Sequence, residues 1–112
     1  MVRPVPRKLA IGLFLFASSL PALAQQSNDW QAQVRQLVAG KEIAGALSVA
    51  EKRLQEAPQD LEARGWRARL LSWMGRREEA EAEYRRVLLS APNDTDVLQG
   101  LADVLAAHAA SR

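Results

Sequence analysis

Apolar residues recur at helical spacing along most of the chain after residue 28. The clearest stripes lie in residues 43–57 and 77–91, where apolar side chains stand three or four positions apart. In the second stretch the stripe consists of Ala80, Tyr84, Val87, Leu88 and Ala91. The charged residues between them are predicted to form a solvated face; they are Glu78, Glu79, Glu81, Glu83, Arg85 and Arg86. The whole pattern predicts five helices, at about residues 28–39, 42–56, 60–74, 77–90 and 94–109.

Two similar tetrapeptides, APQD at 57–60 and APND at 91–94, interrupt this pattern 34 positions apart. Proline commonly follows a helix end because it cannot continue the helix. An aspartate two residues later can accept hydrogen bonds from the free N–H groups of the next helix. Each tetrapeptide therefore predicts a helix end followed by a helix start, and the recurrence predicts that one helix-turn-helix unit is used twice.

The segment 61–94, LEARGWRARLLSWMGRREEAEAEYRRVLLSAPND, resembles a tetratricopeptide repeat. Such a repeat is a helical hairpin with a period of about 34 residues. The positions that carry the resemblance are Ala68, Leu71, Gly75, Ala80, Tyr84 and Pro92. Arg64 stands where such repeats usually have an aromatic residue, and Arg67 where they usually have leucine. The resemblance implies an all-α, right-handed superhelix of antiparallel helix pairs.

The neighbouring segments resemble the same unit less closely. The preceding segment, at about 27–60, matches through Leu37, Ala46, Leu54 and Pro58. Gly40 lies 18 positions before its proline, whereas Gly75 lies 17 positions before, so the first turn is predicted to be shifted by one residue. The resemblance thus implies repeats at about 27–60 and 61–94 and a capping helix at about 95–110.

A narrower resemblance rests on the phrases LLSWMGRREEAEAEYRRVL and GLADVLA. They are similar to the periplasmic repeat regions of YaiO-type and polysaccharide-export outer-membrane proteins. Because such units bury apolar surface only by stacking, a chain of about two and a half units leaves two interpretations: it is a complete minimal repeat domain, or it is the front of a longer solenoid.

The beginning of the chain is typical of a secretory signal peptide. Three basic residues precede an uncharged apolar run at 9–20, and Ala22 and Ala24 then form a small-x-small cleavage site. We expect a signal peptide at 1–24, a repeat domain at 25–112, and a periplasmic or secreted location. An uncleaved membrane anchor is the alternative, although the run is shorter than the roughly 20 residues that a spanning helix needs.

The charge balance changes once the signal peptide is set aside. The whole chain carries 15 basic and 13 acidic residues, but three of the basic ones and none of the acidic ones precede residue 25. The remainder has 12 basic and 13 acidic residues, a formal charge of −1. The basic character therefore gives no reason to expect a nucleic-acid partner. Without the signal peptide, no stable membrane insertion is expected either.

The residue inventory argues against catalysis. The chain has no cysteine and a single histidine, His108, close to its end. No serine has a base at a recognisable spacing, and no glycine-rich phosphate loop is present. We therefore predict that the protein is not an enzyme and has no catalytic residues, metal ligands or cofactor.

A polar row is predicted on the first helices of the units, which line the concave surface in this family. Arg35, Arg69 and Asp103 stand at intervals of 34 positions and should lie side by side there. Arg69 and Asp103 are expected to be able to pair, which would leave Arg35 for an acidic partner. The alternative is that the row is simply solvated surface.

Trp66, Leu70 and Trp73 form an aromatic-rich stripe on the same helix as Arg69. In a groove such a stripe suits peptide binding, whereas the alternative has both tryptophans packed against neighbouring helices. The leading hypothesis is an exported interaction module that binds a peptide or helix of an envelope protein. Its predicted contact residues are Arg35, Trp66, Arg69, Trp73 and Asp103. The second hypothesis is an accessory piece of an outer-membrane or polysaccharide-export assembly, acting by docking or self-association.

Overall fold

The computed structural model describes residues 29–111, and every regular element among them is an α-helix. The described part of the first helix, α1, covers residues 29–39. It is followed by α2 (Ile43–Glu56), α3 (Leu61–Trp73), α4 (Arg77–Ser90) and α5 (Thr95–Ala110). The bounds of α2 to α5 differ from the predicted ones by at most one residue, so the predicted all-α fold is confirmed. The predicted signal peptide lies outside the described residues.

Successive helices pack against one another in chain order. Helix α3 lies between α2 and α4, α5 packs on α4, and a smaller contact joins α3 to α5. Since only three or four residues connect each of these helices to the next, neighbours in sequence run antiparallel. The contact between α3 and α5 brings the first helices of two successive units together, as in a stack of helical hairpins.

The core follows the predicted stripes. Both small residues such as Ala46, Ala68 and Ala80 and larger ones such as Leu70 and Leu71 are fully buried. Between residues 31 and 111, the buried apolar residues are Val34, Ala46, Leu47, Ala50, Ala63, Ala68, Leu70, Leu71, Ala80, Tyr84, Val87, Val97, Leu101 and Val104.

The two aspartates of the tetrapeptides cap helices as predicted. Asp60 accepts a hydrogen bond from the backbone N–H of Ala63 at 3.2 Å. Asp94 accepts one from the N–H of Val97 at 3.1 Å. Each bond satisfies one of the N–H groups that a helix leaves free at its first turn. The starts of α3 and α5 are therefore fixed by equivalent residues.

The turns inside the units keep the register of the repeat, so the predicted one-residue shift is wrong. Lys41 has a φ of 61° and Gly75 a φ of 80°, and these two left-handed residues are 34 positions apart. In both turns the residue after the left-handed one donates a hydrogen bond to the end of the preceding helix. The N–H of Glu42 donates to the carbonyl of Leu37 at 2.8 Å, and the N–H of Arg76 donates to the carbonyl of Leu71 at 2.9 Å. Lysine thus takes the place of the glycine that usually ends a helix this way.

An ion network around Glu83 links α2, α3 and α4, and it corrects the prediction that this residue belongs to a solvated face. Glu83 is only 5% exposed. Nη1 of Arg64 lies 3.2 Å from each of its carboxylate oxygens, and Nη2 of Arg64 donates to the carbonyl of Pro58 at 3.0 Å. Nη1 of Arg67 lies 3.5 Å from Oε2 of Glu83, and Nε of Arg67 donates a hydrogen bond to Oε2 of Glu51 at 3.0 Å. The two arginines that depart from the usual repeat pattern therefore share one buried carboxylate.

Candidate functional site

A groove runs between α3 and α5, and Tyr84 of α4 reaches its floor. It consists of two depressions that share Arg69 and Asp96. The one beside Trp73 has a volume of about 440 Å³, enough for side chains of a bound peptide. The residues lining this α3–α5 groove are Leu61, Glu62, Gly65, Trp66, Arg69, Ser72, Trp73, Tyr84, Asp94, Asp96, Val97, Gln99, Gly100 and Asp103.

The repeat register explains why these residues meet. Residues 62, 66, 69 and 73 follow helical spacing and share one face of α3. Residues 34 positions later occupy the corresponding face of α5 and form the opposite wall. The equivalent pairs are Glu62 and Asp96, Gly65 and Gln99, Trp66 and Gly100, and Arg69 and Asp103.

Gly100 allows α5 to lie directly against the ring of Tyr84. A Cβ atom at position 100 would lie 2.5 Å from Cζ and 2.6 Å from Oη of this tyrosine. The ring has little room to withdraw, because Tyr84 is only 3% exposed. The absence of a side chain at position 100 therefore sets the depth of the groove.

Gly100→Ala is expected to lower the free energy of unfolding by up to about 2 kcal/mol. Overpacking typically costs about 1–3 kcal/mol, and the better helix propensity of alanine returns only about 1 kcal/mol. Denaturant unfolding measures the change. Gly65→Ala is the matched control at a helical glycine of α3, where an added Cβ meets nothing within 4 Å. The control should be neutral or stabilising; equal stabilisation by both substitutions would contradict the close approach.

Arg69 stacks on an aromatic ring and does not form the pair with Asp103 that the sequence allowed. Its guanidinium carbon lies 4.8 Å from the centroid of the Trp66 ring, within the range of a cation–π contact. Among the ion pairs of residues 29–111, none joins Arg69 to Asp103. The carboxylate of Asp103 instead accepts a hydrogen bond from Nε2 of Gln99 at 3.0 Å. One wall of the groove is thus preformed by contacts within α3 and the other by contacts within α5.

The phenol of Tyr84 remains protonated at neutral pH. Burial raises the pKa of Tyr84 above its ordinary value of 10.0; nearby Arg69 opposes this rise and Asp103 adds to it. A protonated phenol can donate or accept a hydrogen bond at the groove floor.

The two tryptophans differ in exposure, and Leu70 does not belong to the groove. Trp66 is half-buried beneath Arg69, while Trp73 is 52% exposed. The alternative in which both tryptophans are packed away therefore does not hold for Trp73. Leu70 is fully buried in the core, so Arg69 takes the place between the two rings that the sequence stripe assigned to leucine.

Arg35, the first member of the predicted polar row, does not line the groove. It lies on the exposed surface of α1, where its Nη2 donates to Oε1 of Gln31 at 3.5 Å. The structure therefore brings Trp66, Arg69, Trp73 and Asp103 to one groove and leaves Arg35 outside it.

The groove carries more negative than positive charge. Four carboxylates line it, those of Glu62, Asp94, Asp96 and Asp103, against the single guanidinium of Arg69. Such a lining attracts cationic groups, contrary to the acidic partner expected from the arginines of the row. The sequence reading missed Asp96, Gln99 and Gly100, although each stands one repeat period after Glu62, Gly65 or Trp66, which was a usable signal.

The described residues offer surfaces for binding and no metal site. Within residues 29–111, no cluster of three or more histidine, aspartate or glutamate side chains is placed to hold a metal ion. In the same part of the chain, no helix has both the length and the apolar character to cross a membrane.

Comparison with known proteins supports the fold assignment. A family model described as a tetratricopeptide repeat matches residues 37–104, more than half of the 112-residue chain. Such repeats are typically non-catalytic interaction modules, and the match indicates no enzymatic family. No curated protein and no solved structure matched the chain. The narrower resemblance to YaiO-type and polysaccharide-export proteins stays a prediction.

Proposed function

The chain belongs to the tetratricopeptide repeat family, and on this premise we propose that it is an exported interaction module that holds a peptide or helix of an envelope protein in the α3–α5 groove. The observation that carries the proposal is the position of Trp73. This large aromatic side chain is 52% exposed, yet it lines a concave depression of about 440 Å³. A tryptophan at the edge of a preformed groove offers apolar area that a partner can bury.

The groove is partly ordered before any partner arrives. Arg69 is held over the ring of Trp66, and Gln99 holds Asp103. Both restraints lie within single helices, which are themselves packed into the core. Side chains that are already fixed lose less conformational entropy on binding, so more of the contact energy contributes to affinity.

Charge complementarity favours a basic segment as the ligand. A lysine or arginine side chain of the partner could lie against the open ring of Trp73 with Asp96 and Asp103 nearby in the same depression. Cation–π attraction and the carboxylates would act in the same direction. We therefore propose that the partner presents basic residues, in place of the acidic partner expected from the sequence.

Export is the part of the proposal that rests on residues 1–24 alone. The basic start, apolar run and Ala22-Leu23-Ala24 site support cleavage before Gln25. A cleaved chain would place the repeat domain in the periplasm or outside the cell, where its partner would be an envelope or secreted protein.

Trp73→Ala is expected to weaken partner capture by about thirtyfold, because an aromatic anchor truncated at an interface typically costs about 2 kcal/mol or more. Helical content and the melting temperature should change little, since much of the side chain is exposed. The measurement is capture from envelope extract by protein purified after export by its own leader, with bound proteins identified by mass spectrometry. The N terminus of the bait should be Gln25, and capture should decline as salt is raised.

The matched control is Leu89→Ala, which removes an exposed apolar side chain on α4 outside the groove. This substitution should leave capture unchanged. If Trp73→Ala lowers the melting temperature substantially, the tryptophan is structural and the proposal loses its anchor. If it changes neither stability nor capture, the groove is not the working surface, and the accessory role in an envelope assembly should replace this one.

A further inference from the structure

The two tryptophans of the α3–α5 groove stand two turns apart on one face of α3, but only Trp66 is covered by an arginine. The guanidinium carbon of Arg69, three residues further along, lies 4.8 Å from the centroid of the Trp66 ring. In the part of the chain that the structure describes, no cation lies over the ring of Trp73. This ring is 52% exposed and lines the depression of about 440 Å³. The cation–π contact made at Trp66 therefore has an open counterpart at Trp73.

The arginine that sequence spacing would place over Trp73 is engaged elsewhere. Arg76 follows Trp73 by three residues, as Arg69 follows Trp66. Helix α3 ends at Trp73, however, so Arg76 lies beyond the helix and does not line the groove. Its Nε and Nη2 atoms donate to the two carboxylate oxygens of Glu79 at 2.7 and 2.8 Å. The ring of Trp73 is thus accessible to a cation from another molecule.

The carboxylates beside Trp73 also lack cationic partners. Asp96 and Asp103 line the same depression, and neither takes part in an ion pair among residues 29–111. Oδ1 of Asp103 accepts the hydrogen bond from Gln99, while Oδ2 has no hydrogen bond in that part of the chain. A cation entering the depression would therefore meet negative charge that the fold leaves unpaired.

The shape of the depression and the groups that line it favour a guanidinium over an ammonium group. A guanidinium is flat and delocalised, so it can stack on an indole and donate in its own plane to a carboxylate at the same time. An ammonium is compact and strongly hydrated, and it has three donors instead of five. The depression offers the ring of Trp73, the carboxylate of Asp103 and the hydroxyl groups of Ser72 and Tyr84. Arg69 already stacks on an indole in this groove.

We propose that this depression is a guanidinium-binding subsite, in which an arginine side chain of the partner stacks on Trp73 and donates hydrogen bonds to Asp103. The subsite rests on the proposed function and narrows it, because the basic segment of the partner must then present arginine and not merely positive charge. Trp73 and Asp103 set this preference. Asp96, which lines both depressions of the groove, attracts either kind of cation.

Fluorescence anisotropy of labelled peptides measures the preference for arginine. The probe is a fluorescein-labelled glycine–serine peptide with two arginines. One matched peptide carries lysine, which keeps the charge without the plane, and another carries citrulline, which keeps the plane without the charge. The exported protein should bind the arginine peptide about tenfold more tightly than the lysine peptide, since stacking and in-plane donation act together. The citrulline peptide should bind most weakly, because it carries no charge.

Substitutions in the groove should change this preference in distinct ways. Trp73→Ala should bring the affinity for the arginine peptide close to that for the lysine peptide, whereas Trp73→Phe should retain part of the preference through its smaller ring. Asp103→Asn should weaken binding of the arginine peptide more, because a single amide oxygen cannot accept two parallel hydrogen bonds as a carboxylate does. Leu89→Ala, outside the groove, is the matched control and should change neither affinity. Circular dichroism checks that each variant is folded.

Three results would overturn the subsite: no measurable binding of the arginine peptide, equal affinity for the arginine and lysine peptides, or a preference that survives Trp73→Ala. These results are separable from a failure of the proposed function, which partner capture tests. Capture that depends on Trp73 without any preference for arginine would leave the peptide-binding role in place and remove only the subsite. A preference that is lost with Trp73→Ala, found without capture, would support the subsite and contradict the proposed envelope partner.

Discussion

Glu83→Ala is expected to lower the free energy of unfolding by about 3 kcal/mol. The substitution removes the carboxylate that both Arg64 and Arg67 approach, and it leaves two guanidinium groups close together with less compensating charge. Breaking a buried ion pair by removing one partner typically costs about 3–5 kcal/mol. We expect a cost at the lower end of this range, because the side chains of Arg64 and Arg67 are still 16% and 23% exposed to solvent. For a small repeat domain such a loss is a large part of its total stability.

Urea unfolding followed by circular dichroism measures this loss. Glu78→Ala is the matched control, because it removes a carboxylate from the exposed face of the same helix and should change stability by less than about 0.5 kcal/mol. Combining Glu83→Ala with Arg64→Leu and Arg67→Leu should recover part of the loss, since the two charges that then lose a partner, Glu51 and Arg86, are 40% and 64% exposed. If the single substitution is no more harmful than the control, the network does not stabilise the fold.

The fold was predictable because its signals are local and repeated. Helix ends depend on residues within one turn, such as Asp60 and Asp94. The capping hydrogen bonds predicted for these two aspartates are present in the structure. The recurrence of the tetrapeptides then predicted how successive hairpins follow one another. The prediction for the turn at Lys41 is wrong because it uses glycine as the marker of the left-handed residue, whereas lysine has that conformation there.

The Glu83 network was not predictable from periodicity. In the sequence Glu83 is one of several charged residues on α4, and its position relative to the apolar stripe suggested a solvated face. It is buried because Arg64, which lies on α3, and Arg67 supply the pairing charges. The departures of Arg64 and Arg67 from the usual repeat pattern were visible, but only the packed helices show that one residue compensates for both.

The groove could be predicted in position and not in detail. Equal spacing placed Arg69 and Asp103 on neighbouring helices, and both do line the groove. The choice of partner for each side chain depends on rotamers, so Arg69 lies over Trp66 and Asp103 binds Gln99. The net charge of the groove likewise comes from residues of both walls together, and only their common placement shows that carboxylates dominate.

Ala80→Trp is expected to unfold the domain or to lower its melting temperature by well over about 10 °C, since a loss of 1 kcal/mol alone shifts the melting temperature of a small domain by roughly 4–8 °C. Ala80 is fully buried on α4, and Ala68 of α3 is equally small and buried on the neighbouring helix. Since α4 packs against α3 and protein interiors are close-packed, an indole at the fully buried position 80 has no free space and must push the helices apart. Overpacking typically costs about 1–3 kcal/mol, and a change of this size exceeds what a tightly packed helix pair can absorb by side-chain adjustment. The separation would also move Arg64 away from Glu83, so the ion network and the helix contact would be lost together.

Ala82→Trp is the matched control on the exposed side of α4 and should melt close to the unsubstituted protein. Thermal unfolding of the two variants side by side decides the matter: equal melting temperatures would mean that the helices of the hairpin do not meet at Ala80.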